Sequence, residues 1–169
     1  MSGMSTKDDL AIIVAQERAL VFPEFSEAIA FELGSAIRAR GLADGASLAI
    51  DIRTGQRPLF YAALAGTSAD HPHWLRRKAN LTQRVGKSSY RVALELENRQ
   101  DIVFGPFWNL DPADYVLAGG SFPIVVRNAG LIGAVTLSGT NDRDEHARAA
   151  AGIGAWLGVD MTALTLSAR

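Results

Sequence analysis

The feature that most restricts the fold of this chain is a hydrophobic period that changes from helical to strand-like twice along the sequence. Residues 46–52 (ASLAIDI) alternate in polarity, and after the turn RTGQ the segment 58–64 (PLFYAAL) is typical of the return strand of a hairpin. Strand-like runs reappear at 115–118, 121–127 and 131–138, with Asn128-Ala129-Gly130 as the last turn. Hairpin-linked strands pair antiparallel, so the sequence predicts one antiparallel sheet of about five strands.

Helical segments flank these strands and are expected to pack on the sheet. The predicted helices cover 8–20, a segment from Pro23 to Gly41, a segment from the N-cap Asp70 to about Lys87, 90–100 behind Ser88 or Ser89, and a segment from Asp142 to about Leu157. The resulting order, α-α-β-β-α-α-β-β-β-α, favours an α+β fold in which helices cover an antiparallel sheet. Such a layout resembles the profilin-like α/β sandwich.

The composition favours a single domain over residues 1–169 and removes several classes of site. The chain has no cysteine, which excludes disulfides, thiolate metal sites, iron–sulfur clusters and cysteine nucleophiles. Its start, MSGMSTKDDL, is too polar for a signal peptide, and no run reaches the roughly 18 apolar residues that a membrane span requires. We therefore expect a cytoplasmic protein with no membrane partner.

Charge is distributed unevenly along the chain. The segment from His71 to Arg91 contains six cationic residues and no carboxylate, which leaves 11 basic and 18 acidic residues elsewhere. A protein that binds duplex nucleic acid usually presents a broad basic face, and here the remaining surface would repel phosphates. The basic segment therefore favours a small anionic molecule or a partner surface over nucleic acid.

The third predicted helix carries a cation on its apolar stripe. Trp74, Lys78, Leu81 and Val85 repeat at helical spacing, so Lys78 lies among residues that favour the core. Its ammonium group must reach the surface, form a pair or meet an anion in a cleft. We interpret this helix as one wall of a pocket, with Trp74 and Lys78 inward and Arg77 near the mouth, whereas a lysine that merely extends to solvent is the alternative.

The last predicted helix places a histidine on its apolar stripe. His146 shares this stripe with Ala150, Ile153 and Leu157, which predicts a buried imidazole with a hydrogen-bond partner. A haem ligand or a proton carrier at a pocket edge is the alternative, because imidazole changes charge near neutral pH. His71 and His73 lie at a helix start without a third ligand close in sequence, so no metal site is predicted.

Glycines and serines complete the candidate site. Gly120 and Ser121 lie where two strand segments meet, and a glycine there permits a close backbone approach to a ligand or to a neighbouring strand. The chain has no phosphate-binding loop and no nucleophile elbow, so no catalytic residue is assigned. The predicted ligand-binding residues are Trp74, Arg77, Lys78, Ser89, Gly120, Ser121 and His146.

Several stretches of the sequence resemble a known superfamily. FPEF, GTSADHPHWLRRKANLTQRVGKSSY, DPADYVLAGGSFPIVV, GLIGAVTLSG and DEHA are similar to an uncharacterised branch of the haem-degrading-domain superfamily, which includes GlcG-like and HbpS-like proteins. The resemblance implies a profilin-like sandwich that assembles into dimers or larger rings. It also makes haem a candidate cofactor, since some relatives bind haem or cobalamin-type tetrapyrroles.

Three functions follow as hypotheses. The leading one is a small-molecule-binding protein of the haem-degrading-domain type, for haem or another carboxylate-bearing ligand. The second is an oligomeric scaffold that docks an acidic partner, and the third is a small enzyme in which His146 and Lys78 transfer protons. For each of them we expect a homo-oligomer built from dimers.

Overall fold

The computed structural model describes residues 6–167 and contains six α-helices and four strands in that range. Residues 1–5, at the start of the polar stretch MSGMSTKDDL, and residues 168 and 169 lie outside the described part of the chain. The elements are α1 (Thr6–Ala19), α2 (Glu27–Ala43), β1 (Ala49–Thr54), β2 (Arg57–Ala63), α3 (His71–Val85), α4 (Ser89–Glu95), α5 (Gln100–Phe104), β3 (Ser121–Val126), β4 (Gly130–Ser138) and α6 (Asp142–Leu157), followed by a 3-10 turn at Thr162–Leu164.

The four strands form one antiparallel sheet in the order β2-β1-β4-β3. Each predicted hairpin forms, and β1 pairs with β4, so the two hairpins join through their inner strands. One face of the sheet packs on α2 and α6 through apolar residues that include Leu33, Ile50, Phe122 and Leu137. Burial of these apolar side chains is the main stabilising contribution to the sandwich.

The opposite face of the sheet is covered by α3 and is more polar. Asp51 lies on the central strand β1 at 1% exposure, and both of its oxygens accept hydrogen bonds from Arg53. A second apolar cluster lies beyond this layer, where Leu81 of α3 meets Val92 of α4 and Val103 of α5. The sheet therefore separates an apolar layer from a mixed layer that contains buried charges.

The predicted α+β fold is confirmed, and the predicted strand count is wrong. Residues 115–118 form no strand; instead Leu117 packs into the second apolar cluster at 5% exposure. The predicted fourth helix is also shorter, because Glu97 and Asn98 adopt positive φ angles of 51° and 57° and end the helical backbone after Glu95. Within residues 6–167, no helix is both long and apolar enough to cross a membrane.

Of the helices whose N-caps the structure describes, α2 and α6 begin with a side-chain cap, and the predicted cap of α3 forms a different contact. Ser26 Oγ accepts a hydrogen bond from the Ile29 amide at 3.2 Å at the start of α2, and Asn141 Oδ1 accepts from the Asp144 amide at the start of α6. Asp70 occupies the N-cap position of α3, but its carboxylate accepts from the indole Nε1 of Trp74.

We expect Ser26→Ala to lower the free energy of unfolding by about 1 kcal/mol, because the Ile29 amide loses its acceptor. Ser35→Ala in the middle of α2 is the matched control and should have no destabilising effect, since alanine has the higher helix propensity. Chemical denaturation followed by circular dichroism measures both variants. Equal stability of the two variants would show that the cap contributes nothing.

Candidate functional site

The basic segment of α3 and α4 is mostly neutralised by carboxylates from elsewhere in the chain. Its ion pairs are Arg76 with Asp114, Lys78 with Glu145, Lys87 with Glu95, and Arg91 with both Glu17 and Glu95. Among the described residues, only Arg77 and Arg84 of the six cations lack a carboxylate partner. The segment is therefore not an open basic surface, although its sequence contains no acidic residue.

Trp74 and Arg77 form a stacked pair at the outer end of α3. The Arg77 guanidinium lies 4.7 Å from the centroid of the Trp74 ring, a cation–π geometry, and both side chains are half-buried. Trp74 also donates its indole hydrogen to Asp70 at 2.8 Å. The prediction that Trp74 points into the core is therefore wrong, because Leu75 takes the buried position beside it.

Lys78 is buried and paired with a residue that the sequence analysis did not select. Its ammonium lies 2.5 Å from Glu145 Oε2 and 3.3 Å from the carbonyl oxygen of Leu137, and the two charged side chains are 4% and 3% exposed. Of the three outcomes open to a cation on an apolar stripe, pairing is the one that occurs. The only sequence signal for Glu145 is its position beside His146, within the stretch DEHA.

Glu145 also accepts hydrogen bonds from the backbone of the turn between β4 and α6. Its other oxygen, Oε1, accepts from the amides of Gly139 and Thr140, at 2.8 and 3.0 Å. The carboxylate is thus satisfied by one ammonium and two backbone amides, which offsets much of the cost of burying its charge.

Four of the predicted residues meet around this pair in one buried polar layer. Gly120 has a φ of +113°, and a Cβ added there would lie 2.7 Å from Glu145 Oε2, so glycine permits the close approach. Next to it, the Ser121 amide donates to Ser89 Oγ at 3.0 Å, and Ser121 Oγ shares a hydrogen bond with Thr136. Lys78, Ser89, Gly120 and Ser121 are therefore brought together, and the Glu145 carboxylate lies among them.

His146 has different partners from that layer and is buried at the edge of the main apolar core. Its ring is fully buried between Tyr90 and Phe122, with centroid distances of 5.5 and 5.6 Å. Nε2 lies 2.7 Å from Gln16 Oε1, and Gln16 donates its amide nitrogen to the Leu164 carbonyl. Because Gln16 Oε1 can only accept a hydrogen bond, the hydrogen of the neutral His146 ring lies on Nε2. The predicted burial and hydrogen-bond partner of this histidine are confirmed.

The second ring nitrogen of His146 is left with a free lone pair. Nδ1 has no hydrogen-bond partner, alone among the buried side-chain polar atoms of the described residues. Burial lowers the pKa of His146 to about 3, and the positive charge of Arg143 adds to this against the opposing charge of Asp9. At neutral pH the side chain is therefore an uncharged imidazole whose basic nitrogen is available to a ligand that can reach it.

A cleft lies beside Tyr90, whose ring packs against this histidine. It has a volume of about 830 Å³ and is lined by Tyr90, Leu94, Asn98, Asn141, Asp142, Arg143, Asp144, Ala147, Leu166 and Ser167. None of the seven predicted residues lines it. Lys78 and His146 are bonded to different partners, Glu145 and Gln16. Residues 6–167 contain no cluster of three or more metal-ligating side chains.

We expect Lys78→Met to destabilise the fold by about 3–5 kcal/mol, because it leaves the Glu145 carboxylate buried without its cation. Arg76→Met is the matched control: its pair with Asp114 is exposed and should contribute less than about 1 kcal/mol. The double variant Lys78→Met/Glu145→Gln should recover part of the loss, since it removes the unpaired charge. Urea denaturation measures all three, and a neutral Lys78→Met would contradict this account.

Comparison with known proteins supports the resemblance stated above. The family model described as "Haem degrading protein HbpS-like" matches residues 25–154. A UPF0303 protein of Mesorhizobium japonicum is 46% identical over 166 residues, which cover 98% of this chain and 99% of that protein.

Solved structures share the fold. The crystal structure of the Ybr137w protein superposes with a TM-score of 0.82 at 24% identity, covering 90% of this chain and 92% of that one. The crystal structure of a PduOC:haem complex superposes with a TM-score of 0.62 at 18% identity, covering 78% of this chain and 94% of that one. These structures show the shared fold, and the match to the family model over most of the chain shows that the chain belongs to the HbpS-like family.

Proposed function

We propose that this protein binds a small carboxylate-bearing molecule, with haem as the first candidate, in the cleft between α4, the start of α6 and residues 166–167. One observation carries the proposal: this cleft combines a cation, Arg143, in its wall with a neutral imidazole that packs against the lining residue Tyr90. Its volume lies in the range of about 300–1,000 Å³ that is usual for ligand sites. A large cleft beside a residue with a strongly shifted pKa is the expected place for ligand binding.

Arg143 is the group that would hold the anionic part of the ligand. Its Nε and Nη2 donate to the two oxygens of Asp9, at 2.9 and 3.0 Å, which orients the guanidinium and leaves Nη1 outside both bonds. A carboxylate at Nη1 would form a charge-assisted hydrogen bond. Asp142 and Asp144 also line the cleft and oppose an anion, so the site favours a ligand that has a large uncharged part as well.

A tetrapyrrole has both the anionic groups and the large uncharged part that this cleft favours. The family is described as haem-degrading, and a structural neighbour is a haem complex. Haem would present propionates to Arg143, and the lone pair on His146 Nδ1 is a suitable iron ligand once the ring becomes accessible. The family resemblance and the cleft support this choice together. As ligand contacts, Trp74, Arg77, Lys78, Ser89, Gly120 and Ser121 stay predictions from sequence.

Titration with haemin and with iron-free protoporphyrin IX tests separately whether Arg143 binds the propionates and whether His146 binds the iron. Arg143→Gln should weaken both ligands by about 1.5–3 kcal/mol, because both have propionates. His146→Phe should weaken haemin alone, because only haemin has an iron to ligate. The haemin Soret band and porphyrin fluorescence report the affinities, and His71→Ala should change neither.

Charge variants on α6 provide the controls. Asp142→Asn removes a negative charge from the cleft wall and should increase the affinity for both ligands, whereas Arg143→Gln should decrease it. Asp142→Asn also leaves the hydrogen bonds between Arg143 and Asp9 in place. Arg148→Gln is the matched arginine control, since Arg148 pairs with Asp44 and Asp144 and does not line the cleft. The proposal fails if neither ligand saturates, or if Arg143→Gln and Arg148→Gln have the same effect.

We further propose that the chain forms a homo-oligomer built from dimers. The support is the number of large apolar side chains on its surface: Phe107 is 80% exposed, Phe31 63% and Tyr61 49%. Tyr61 lies on β2, an edge strand of the sheet, and exposed apolar groups beside such an edge favour association between chains. Light scattering should give a mass at least twice 18.1 kDa at micromolar concentration, and a monomeric mass would refute this assembly.

A further inference from the structure

The stretch FPEF, residues 22–25, lies between α1 and α2 and does not line the cleft proposed for haem. Phe22 is fully buried in the main apolar core, and Phe25 packs against it edge to face, with ring centroids 5.1 Å apart. The two residues between them, Pro23 and Glu24, are exposed. The two phenylalanines thus anchor the stretch and keep Pro23 and Glu24 at the surface.

The backbone of this stretch is hydrogen-bonded to the end of β3. The Phe22 amide donates to the Val125 carbonyl, and the Arg127 amide donates to the Phe22 carbonyl, both at 2.8 Å. These bonds form a short parallel bridge beside the edge of the sheet. Glu24 and Arg127 therefore extend from backbone positions that are fixed relative to each other, which is what a preorganised binding site requires.

The end of α6 supplies an aromatic ring to the same region. Trp156 lies in the last turn of α6 and is 37% exposed. The helix ends at Gly158, which has a φ of 67°, and the Val159 amide then donates to the Gly154 carbonyl at 3.0 Å. The chain thus folds back on the last turn of the helix, and Trp156 and Val159 line one cleft.

This second cleft has a volume of about 490 Å³ and shares no lining residue with the cleft beside Tyr90. Its volume lies in the range of about 300–1,000 Å³ that is usual for ligand sites. Six of its nine lining residues have aliphatic side chains, among them Val21, Ile29 and Leu157. The other three are Glu24, Arg127 and Trp156, so the cleft combines an apolar wall with an aromatic ring, one anion and one cation.

The two charges of this cleft do not pair with each other. Neither the Glu24 nor the Arg127 side chain forms an ion pair or a hydrogen bond within residues 6–167. A guanidinium binds a carboxylate through two parallel N–H bonds, and a carboxylate accepts hydrogen bonds from an ammonium group. The cleft therefore has one complementary group for each charge of a zwitterion.

We propose that this second cleft binds a free amino acid with a large apolar side chain, and an aromatic one in preference to an aliphatic one. Arg127 binds the carboxylate, Glu24 binds the ammonium group, and the side chain packs on Trp156 and the aliphatic wall. Among the described residues that line the cleft, those three alone have a side-chain hydrogen-bonding group. A longer peptide would have to desolvate a peptide bond without a side-chain partner, which is unfavourable, so the lining favours a single amino acid.

Calorimetric titration of the full chain with L-phenylalanine and two of its derivatives tests the role of each charge. L-Phenylalanine amide has no carboxylate and N-acetyl-L-phenylalanine has no ammonium group, so each should bind about 5-fold more weakly or worse than phenylalanine. Arg127→Gln should weaken phenylalanine to the same extent and leave the affinity for the amide unchanged. Glu24→Gln should likewise weaken phenylalanine without weakening the N-acetyl derivative. In each case the variant and the derivative remove the same contact from opposite sides, so their losses do not add.

Arg38→Gln and Glu32→Gln are the matched controls for the two charge variants. Both residues are exposed on α2 and neither lines the cleft, so both variants should bind phenylalanine as the unmodified chain does.

Trp156→Leu tests the aromatic wall. It keeps the position apolar and removes the ring, so it should lower the preference for phenylalanine over L-leucine by about 2- to 10-fold, the contribution of one aromatic pair.

Three results would overturn the proposal. They are the absence of saturable heat with phenylalanine at millimolar concentration, equal weakening of phenylalanine by Arg127→Gln and Arg38→Gln, and tighter binding of phenylalanylglycine than of phenylalanine. None of these titrations involves haemin or the cleft lined by Arg143, so this inference and the proposed haem binding fail or succeed separately.

Discussion

The buried carboxylate of Glu145 is the group on which the arrangement around the sheet depends. One of its oxygens pairs with Lys78 on α3, and the other accepts the amides of Gly139 and Thr140 in the turn before α6. Gly120, at the entry to β3, has no side chain to keep the carboxylate away. Because an unpaired charge in this position would cost several kcal/mol, α3, the β4–α6 turn and the start of β3 must all take their observed positions together.

The two sides of α6 are stabilised by different kinds of interaction, apolar packing on one side and hydrogen bonds on the other. Towards α2 and the sheet, Ala149, Ala150 and Ile153 contribute to an apolar core that has no requirement for charge. Towards α1, Arg143 and His146 donate hydrogen bonds to the polar side chains of Asp9 and Gln16. Apolar packing is insensitive to pH, whereas contacts between ionisable groups are not. The cleft lined by Arg143 lies on the polar side.

The candidate site shows where reasoning from local pattern succeeds and where it stops. Helical spacing correctly predicted that Lys78 and His146 point inward, and the glycine at position 120 correctly predicted a close approach. Trp74 was predicted to be buried on the same spacing and is half-buried, because its indole hydrogen bonds to Asp70 at the surface. Arg143 and Tyr90, which line the candidate cleft, have no local signal in the sequence, because both bond to Asp9, which is distant in sequence.

The sequence by itself determined most of the elements and the pairing within each hairpin: hydrophobic period, capping residues and turn residues are local, and short hairpins force neighbouring strands to be antiparallel. It did not determine the pairing of β1 with β4, which joins the two hairpins. It also determined that a lysine and a histidine would be buried. Only the tertiary structure decided what those groups meet, since Lys78 and Glu145 are 67 residues apart and Gln16 and His146 are 130 apart. A local pattern predicts that a polar group is buried and therefore needs a hydrogen-bond partner in the interior. The packing of the helices across the sheet determines which partner it has.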